Sequence, residues 1–148
     1  MKKLILLPIM ASLLLSACTP SPKDIEYGHD VCHYCKMTIM DAQHAAEAVT
    51  DKGKVYKFDA IECMVNFELE NKDKEYAFLL VNDYNRPKKL IDARSSYFLV
   101  SQNIPSPMGA FLTAFENEKA ASETKEKKGG EIYDWDSLKN SGIKGIKK

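Results

Sequence analysis

The sequence predicts an α+β domain, and three observations carry the prediction. Short runs rich in β-branched and aromatic residues are bounded by turn signals, and two other segments carry helix patterns with start or stop signals. These elements follow one another as strand–strand–helix–strand, twice over. No residue-level repeat accompanies that order. The two halves, roughly 28–83 and 84–148, are therefore an expectation about architecture alone.

Residues 25–39 show no clear period and read as loops around two cysteines. Residues 45–50 and 55–58 read as a β-hairpin, with Gly53 supplying the turn. Asp59, followed three residues later by Glu62, forms a capping-box pattern and predicts a helix over 60–70. Ala60, Ile61, Met64 and Phe67 fall on one side of it. Residues 76–82 form a strand with a Phe-Leu-Leu-Val centre, and a turn follows around Asn85-Arg86-Pro87. Short strands are expected over 89–93, 96–101 and 108–115. Helix formers fill 117–127, and Gly129-Gly130 stops the helix. A last strand over 131–135 and a short turn or helix over 136–139 complete the order.

The N-terminus concerns location. Lys2 and Lys3 precede an apolar run over 4–17 that is too short to span a bilayer, so residues 1–17 read as a secretory leader. The run ends in Leu15-Ser16-Ala17-Cys18, which resembles a bacterial lipobox. That resemblance implies cleavage before Cys18 and acylation of its sulfur and amino group, with 18–27 as a tether and 28–148 as the folded domain. Several acyl chains give durable anchoring, at roughly 0.8 kcal/mol per buried methylene. The expected location is a bacterial membrane facing the periplasm. Thr19 after the lipid cysteine permits the outer membrane by the usual sorting rule. Lys2 and Lys3 belong to the leader, so the remainder has slightly fewer basic than acidic side chains. That balance argues against a nucleic-acid partner.

With Cys18 assigned to lipid, Cys32, Cys35 and Cys63 remain. Three is an awkward number for an exported protein, because a Cys32–Cys35 disulfide leaves Cys63 spare. Structural zinc wants four ligands, and His29, His33 or His44 can be the fourth, but a second C-x-x-C or an H-x-x-x-H partner is missing. A thioredoxin-like pair opens a helix, whereas this C-x-x-C follows a Gly-His-Asp loop. The third reading is Cu(I), which prefers thiolates and thioethers. Met37 and Met40 follow Cys35, Met64 adjoins Cys63, and Met108 lies in Pro-Ser-Pro-Met-Gly. Met64 shares a predicted helix face with apolar residues, and Met40 equally suits a core gap; Met37 and Met108 make poor packing choices and good ligands. Cys63, in a first helical turn, is expected to gain thiolate character from the helix N-terminus. No Gly-rich phosphate loop or G-x-S-x-G elbow is present, and no enzyme is expected.

The stretch GHDVCHYCKMTIMDAQHAAEAVTDKGKVYKFDAIECM, together with PMGAFLTAF and GGEIYDWDSL, resembles the NosL family of nitrous-oxide-reductase accessory lipoproteins. The resemblance implies a Cu(I)-binding lipoprotein that passes copper to the maturation proteins of nitrous oxide reductase in denitrification. It implies two small ββαβ units facing across a cleft, similar to the organomercurial lyase fold. It also implies a metal site drawn from Cys32, Cys35 and Met37 in the first half and Met108 in the second, with Cys63 in a family-like motif. A zinc-stabilised scaffold and a thiol reductant are the alternatives.

Overall fold

Strand β1 (Ala46–Thr50) pairs antiparallel with β2 (Val55–Phe58), from Ala46 opposite Phe58 to Val49 opposite Val55. Gly53 turns the hairpin at φ +79°, a left-handed conformation open to glycine without steric penalty. Tyr56 and Phe58 alternate inward along β2, as a half-buried strand requires. Helix α1 (Ile61–Glu70) follows, and β3 (Tyr76–Asp83) returns antiparallel on the other edge of β1. These four elements are the first ββαβ unit. The structure, a computed structural model, describes residues 19–147, so the expected leader and the lipid cysteine Cys18 lie outside the described residues.

Strand β4 (Arg86–Asp92) then pairs with β3, which carries the first unit's sheet past Asp83. A 3-10 turn over Ala93–Ser95, capped by the Asp92 carboxylate, leads into β5 (Tyr97–Val100). The second unit continues with β6 (Leu112–Phe115), α2 (Glu118–Lys128) and β7 (Glu131–Tyr133). In it β5 is the middle strand, flanked by β6 and β7, as β1 is flanked by β2 and β3. Both halves thus repeat ββαβ, and the α+β class holds. Three boundaries differ from expectation. Strand β4 opens at Arg86, so Arg86 and Pro87 of the expected turn belong to the strand expected only from residue 89. Trp135 opens helix α3 (Trp135–Asn140), because Asp134 and Ser137 form a reciprocal capping box there. The strand expected from residue 108 begins only at Leu112, since Ser106 to Gly109 form a turn.

The two units share one sheet of order β2-β1-β3-β6-β5-β7, with β4 beside β3. A parallel bridge of Asp83 to Ala114 joins them, extended by the Tyr84 amide donating to the Ala114 carbonyl at 2.9 Å. Buried His44 adds a side-chain tie, with Nδ1 2.8 Å from Asp41 in the first unit and Nε2 3.4 Å from Thr113 Oγ1 on β6.

Alternation along β5 divides the apolar interior. Phe98 joins the main core and lies 5.8 Å from the Trp135 ring, whereas Leu99 joins Ile104, Phe115 and Ala121 beneath α2. Helix α1 packs over β1 and β2 and reaches β6, so it spans both units. The segment from Lys23 onward is strapped to the first unit. The Lys23 amide donates to buried Glu47, Lys57 Nζ donates to the Asp24 carbonyl and Asp30 carboxylate, and Asn82 donates to the Tyr27 hydroxyl.

Candidate metal centre

Cys32 and Cys35 lie in a tight loop closed by the backbone. The Cys32 amide donates to the Met37 carbonyl at 2.8 Å, Lys36 donates back to Cys32 at 3.1 Å, and Val31 and Thr38 form an antiparallel bridge. Closing so small a loop requires a left-handed residue, and Lys36 takes φ +66°. The Cys35 amide is thereby turned toward Cys32 Sγ, 3.4 Å away. Cys63 enters from the first turn of α1. All three sulfurs lie within 4.8 Å of one another, and all three are free thiols. A metal with bonds of ~2.3 Å to sulfur needs three thiolates roughly 4 Å apart in a trigonal arrangement, so the trio fits a soft ion.

Burial shapes the electrostatics. Cys32 and Cys63 are buried, and Cys35 is partly exposed, which leaves one side of the trio open to solvent. The Cys63 thiol donates to Cys32 Sγ, and the Asp59 amide and the Cys35 amide and thiol donate to it as well, so the Cys32 thiol is pulled down to about 5 despite its burial. The same hydrogen bond and burial push Cys63 up. Burial raises Cys35 too. The thiolate expected at Cys63 from the helix N-terminus is thus found at Cys32. Four donors aimed at one sulfur outweigh a partial helix charge.

Among the described residues, no histidine or carboxylate completes the thiol trio. His33 instead packs edge-on against Tyr56 and Phe67, at 4.7 and 5.2 Å between ring centres, and desolvation lowers its pKa. His44 is engaged by Asp41 and Thr113. The fourth ligand that tetrahedral zinc calls for is therefore not supplied by these side chains.

The methionines divide differently from their sequence neighbourhoods. Met64 is fully buried in the main core. Met40 is 69% exposed and fills no gap, although its amide donates to the buried Asp59 carboxylate at 3.2 Å. Met37 and Met108 are 48% and 42% exposed. Met37 closes the cysteine loop through its carbonyl. Met108 occupies the turn Ser106-Pro107-Met108-Gly109, closed by the Gly109 amide on the Ser106 carbonyl at 3.0 Å. Sequence reasoning missed what Asp59 and Glu62 do. They look like a capping box, yet the N-cap of α1 is Ala60 and makes no side-chain cap bond. The Asp59 amide serves Cys32, and Glu62 accepts from Ser106 and Ala110 on either side of Met108.

The family model for NosL matches residues 23–143. The chain is 29% identical over 117 residues to the copper-binding lipoprotein NosL of Stutzerimonas stutzeri, covering 74% of this chain and 62% of that protein. It therefore spans less than two thirds of that relative's length. The crystal structure of the copper chaperone NosL from Shewanella denitrificans is similar with a TM-score of 0.68 and 25% identity, covering 78% of this chain and 93% of that one. A matching fold and a family match over most of the described residues lead to one conclusion: the chain belongs to the NosL family.

Proposed function

We propose that this protein is a periplasmic Cu(I) chaperone, lipid-anchored through Cys18, that delivers copper for the maturation of nitrous oxide reductase. The observation that carries the reading is the cluster of three free thiols within 4.8 Å, open to solvent on the Cys35 side. Thiolates of Cys32, Cys35 and Cys63 select a soft monovalent ion over calcium or magnesium, which take oxygen ligands. Thioethers from Met37 and Met108 ligate without losing a proton, so they can exchange while the thiolates hold. Copper then moves to an acceptor by stepwise replacement of one sulfur at a time through the open side. Loading releases protons, since Cys63 and Cys35 have their pKa values raised in the metal-free protein.

The test is anaerobic Cu(I) titration against a competing chelator. Cys32→Ser/Cys35→Ser and Cys63→Ser are expected to lose tight binding, and Met108→Leu to weaken it while the thiol count stays unchanged. Wild-type affinity in all of them sinks the site. Transfer is tested separately, by mixing the copper-loaded chain with the maturation proteins of nitrous oxide reductase and following which protein carries the metal after separation.

The lowered Cys32 pKa also favours a second reading, a thiol reductant that keeps an acceptor's cysteines reduced. It predicts disulfide reduction by the metal-free protein and no copper carried over to the acceptor.

A further inference from the structure

Glu62 is not among the proposed copper ligands, yet its placement calls for a role. Its side chain is almost fully buried in the first turn of α1, immediately before Cys63. One carboxylate oxygen accepts the Ser106 hydroxyl at 2.6 Å and the Ala110 amide at 3.3 Å. The other oxygen is buried and has no protein partner. A carboxylate is an expensive side chain to bury when only packing is needed. Capping does not explain it either, because Ala60 caps the helix without side-chain help.

Ser106 and Ala110 belong to the second unit, and they bracket Met108. Between them Pro107 and Met108 fill the centre of a turn closed by Gly109, with proline at the position that favours such turns. Ser106 Oγ also accepts the Leu112 amide at 3.4 Å, which ties the turn to the start of β6. The turn is stiff in itself and gripped at both ends by one carboxylate.

We infer that Glu62 is a positioning residue for copper binding: its carboxylate clasps Ser106 and Ala110 and so fixes the turn that carries Met108 against the helical turn that carries Cys63. The inference rests on the copper-site reading above, specifically on ligation by Met108. It explains why a carboxylate stands next to Cys63. A single acceptor oxygen can hold a hydroxyl and an amide together, and the grip then runs from one ββαβ unit to the other.

The experiment uses the full chain under anaerobic conditions, with Cu(I) retention measured against a chelator for Glu62→Ala, Ser106→Ala, Met108→Leu and the pairwise doubles with Met108→Leu. Clasp variants are expected to weaken retention by about tenfold or more, the scale typical when a residue supporting a metal ligand is removed. The loss matches that of Met108→Leu, and the doubles show no further loss. X-ray absorption of the loaded Ser106→Ala protein is expected to lose the thioether sulfur and keep the thiolates. Should Glu62→Ala fail to fold, Ser106→Ala carries the test, since it removes one hydroxyl only. Wild-type retention in Ser106→Ala beside a weakened Met108→Leu overturns the clasp and leaves the copper site standing. Additive losses in the doubles overturn it too, because Glu62 then acts apart from Met108. An unchanged Met108→Leu removes the underlying ligand assignment itself.

Discussion

Cys63 donates its thiol hydrogen to the sulfur of Cys32, so one buried cysteine holds its neighbour in the thiolate form. In the copper site proposed above, the arrangement readies the protein for a cation: Cys32 offers an anion, and Cys63 gives up its proton as the metal replaces the hydrogen bond.

Removing that donor has a signed consequence. In metal-free Cys63→Ala the remaining donors to Cys32 are the Asp59 amide and the Cys35 amide and thiol, so its pKa moves up from about 5 toward the ordinary thiol value. Alkylation followed against pH checks this, and the midpoint for Cys32 is expected at higher pH than in the parent. An unmoved midpoint assigns the thiolate to the donors from Asp59 and Cys35.

Phe67 is the packing pivot beneath the cysteine loop, with its ring 4.7 Å from Tyr56, 5.3 Å from Phe58 and 5.2 Å from His33. Phe67→Ala is expected to lower stability by about 3–5 kcal/mol in urea unfolding, from lost transfer energy and the cavity left behind. A loss under ~1 kcal/mol would show that the loop collapses into the space.

Glu47 gives a pH dependence. Burial on β1 raises its pKa, so the native state favours the protonated carboxyl while the unfolded chain ionises at the ordinary value. The ionised form therefore weakens the fold at neutral pH, and the penalty fades as pH falls below the ordinary carboxylate range. Glu47→Gln keeps an oxygen for the Lys23 amide and does not titrate. Its melting temperature is expected to exceed the parent's at pH 7, with the difference shrinking toward pH 4. A difference independent of pH counts against this account.

Gly130 follows the end of α2 at φ +107°, and a Cβ there meets the Val100 carbonyl oxygen at 2.2 Å. Gly130→Ala is expected to destabilise the second unit by more than about 1 kcal/mol, since both backbone conformation and space are wrong for alanine. Calorimetry of the two proteins at one pH reads the effect directly.

Much of this architecture was legible along the chain. The hairpin around Gly53, the helix stop at Gly129-Gly130 and the repeated strand–strand–helix–strand order are local signals, and local signals survive into the fold. Signals that two distant segments can claim were misread. Asp59 and Glu62 match a capping box by spacing, but their side chains bond to Met40 and to Ser106 and Ala110, 19, 44 and 48 residues away. Met40 is apolar and suits a core by composition, yet its side chain is exposed while the carboxylate its amide bonds to is buried.

The residue types suited to a soft metal, and the two-unit order of the chain, were determined by the sequence itself, because ligand chemistry and short-range periodicity belong to the residues. Only the tertiary structure decided that Cys63 of α1 joins Cys32 and Cys35, that Cys32 rather than Cys63 carries the charge, and that Glu62 grips the turn bearing Met108. Those outcomes depend on which groups are buried together. Inside a protein a hydrogen bond from a distant segment outweighs the propensity of a neighbour in sequence, because an unpaired buried polar group is so costly.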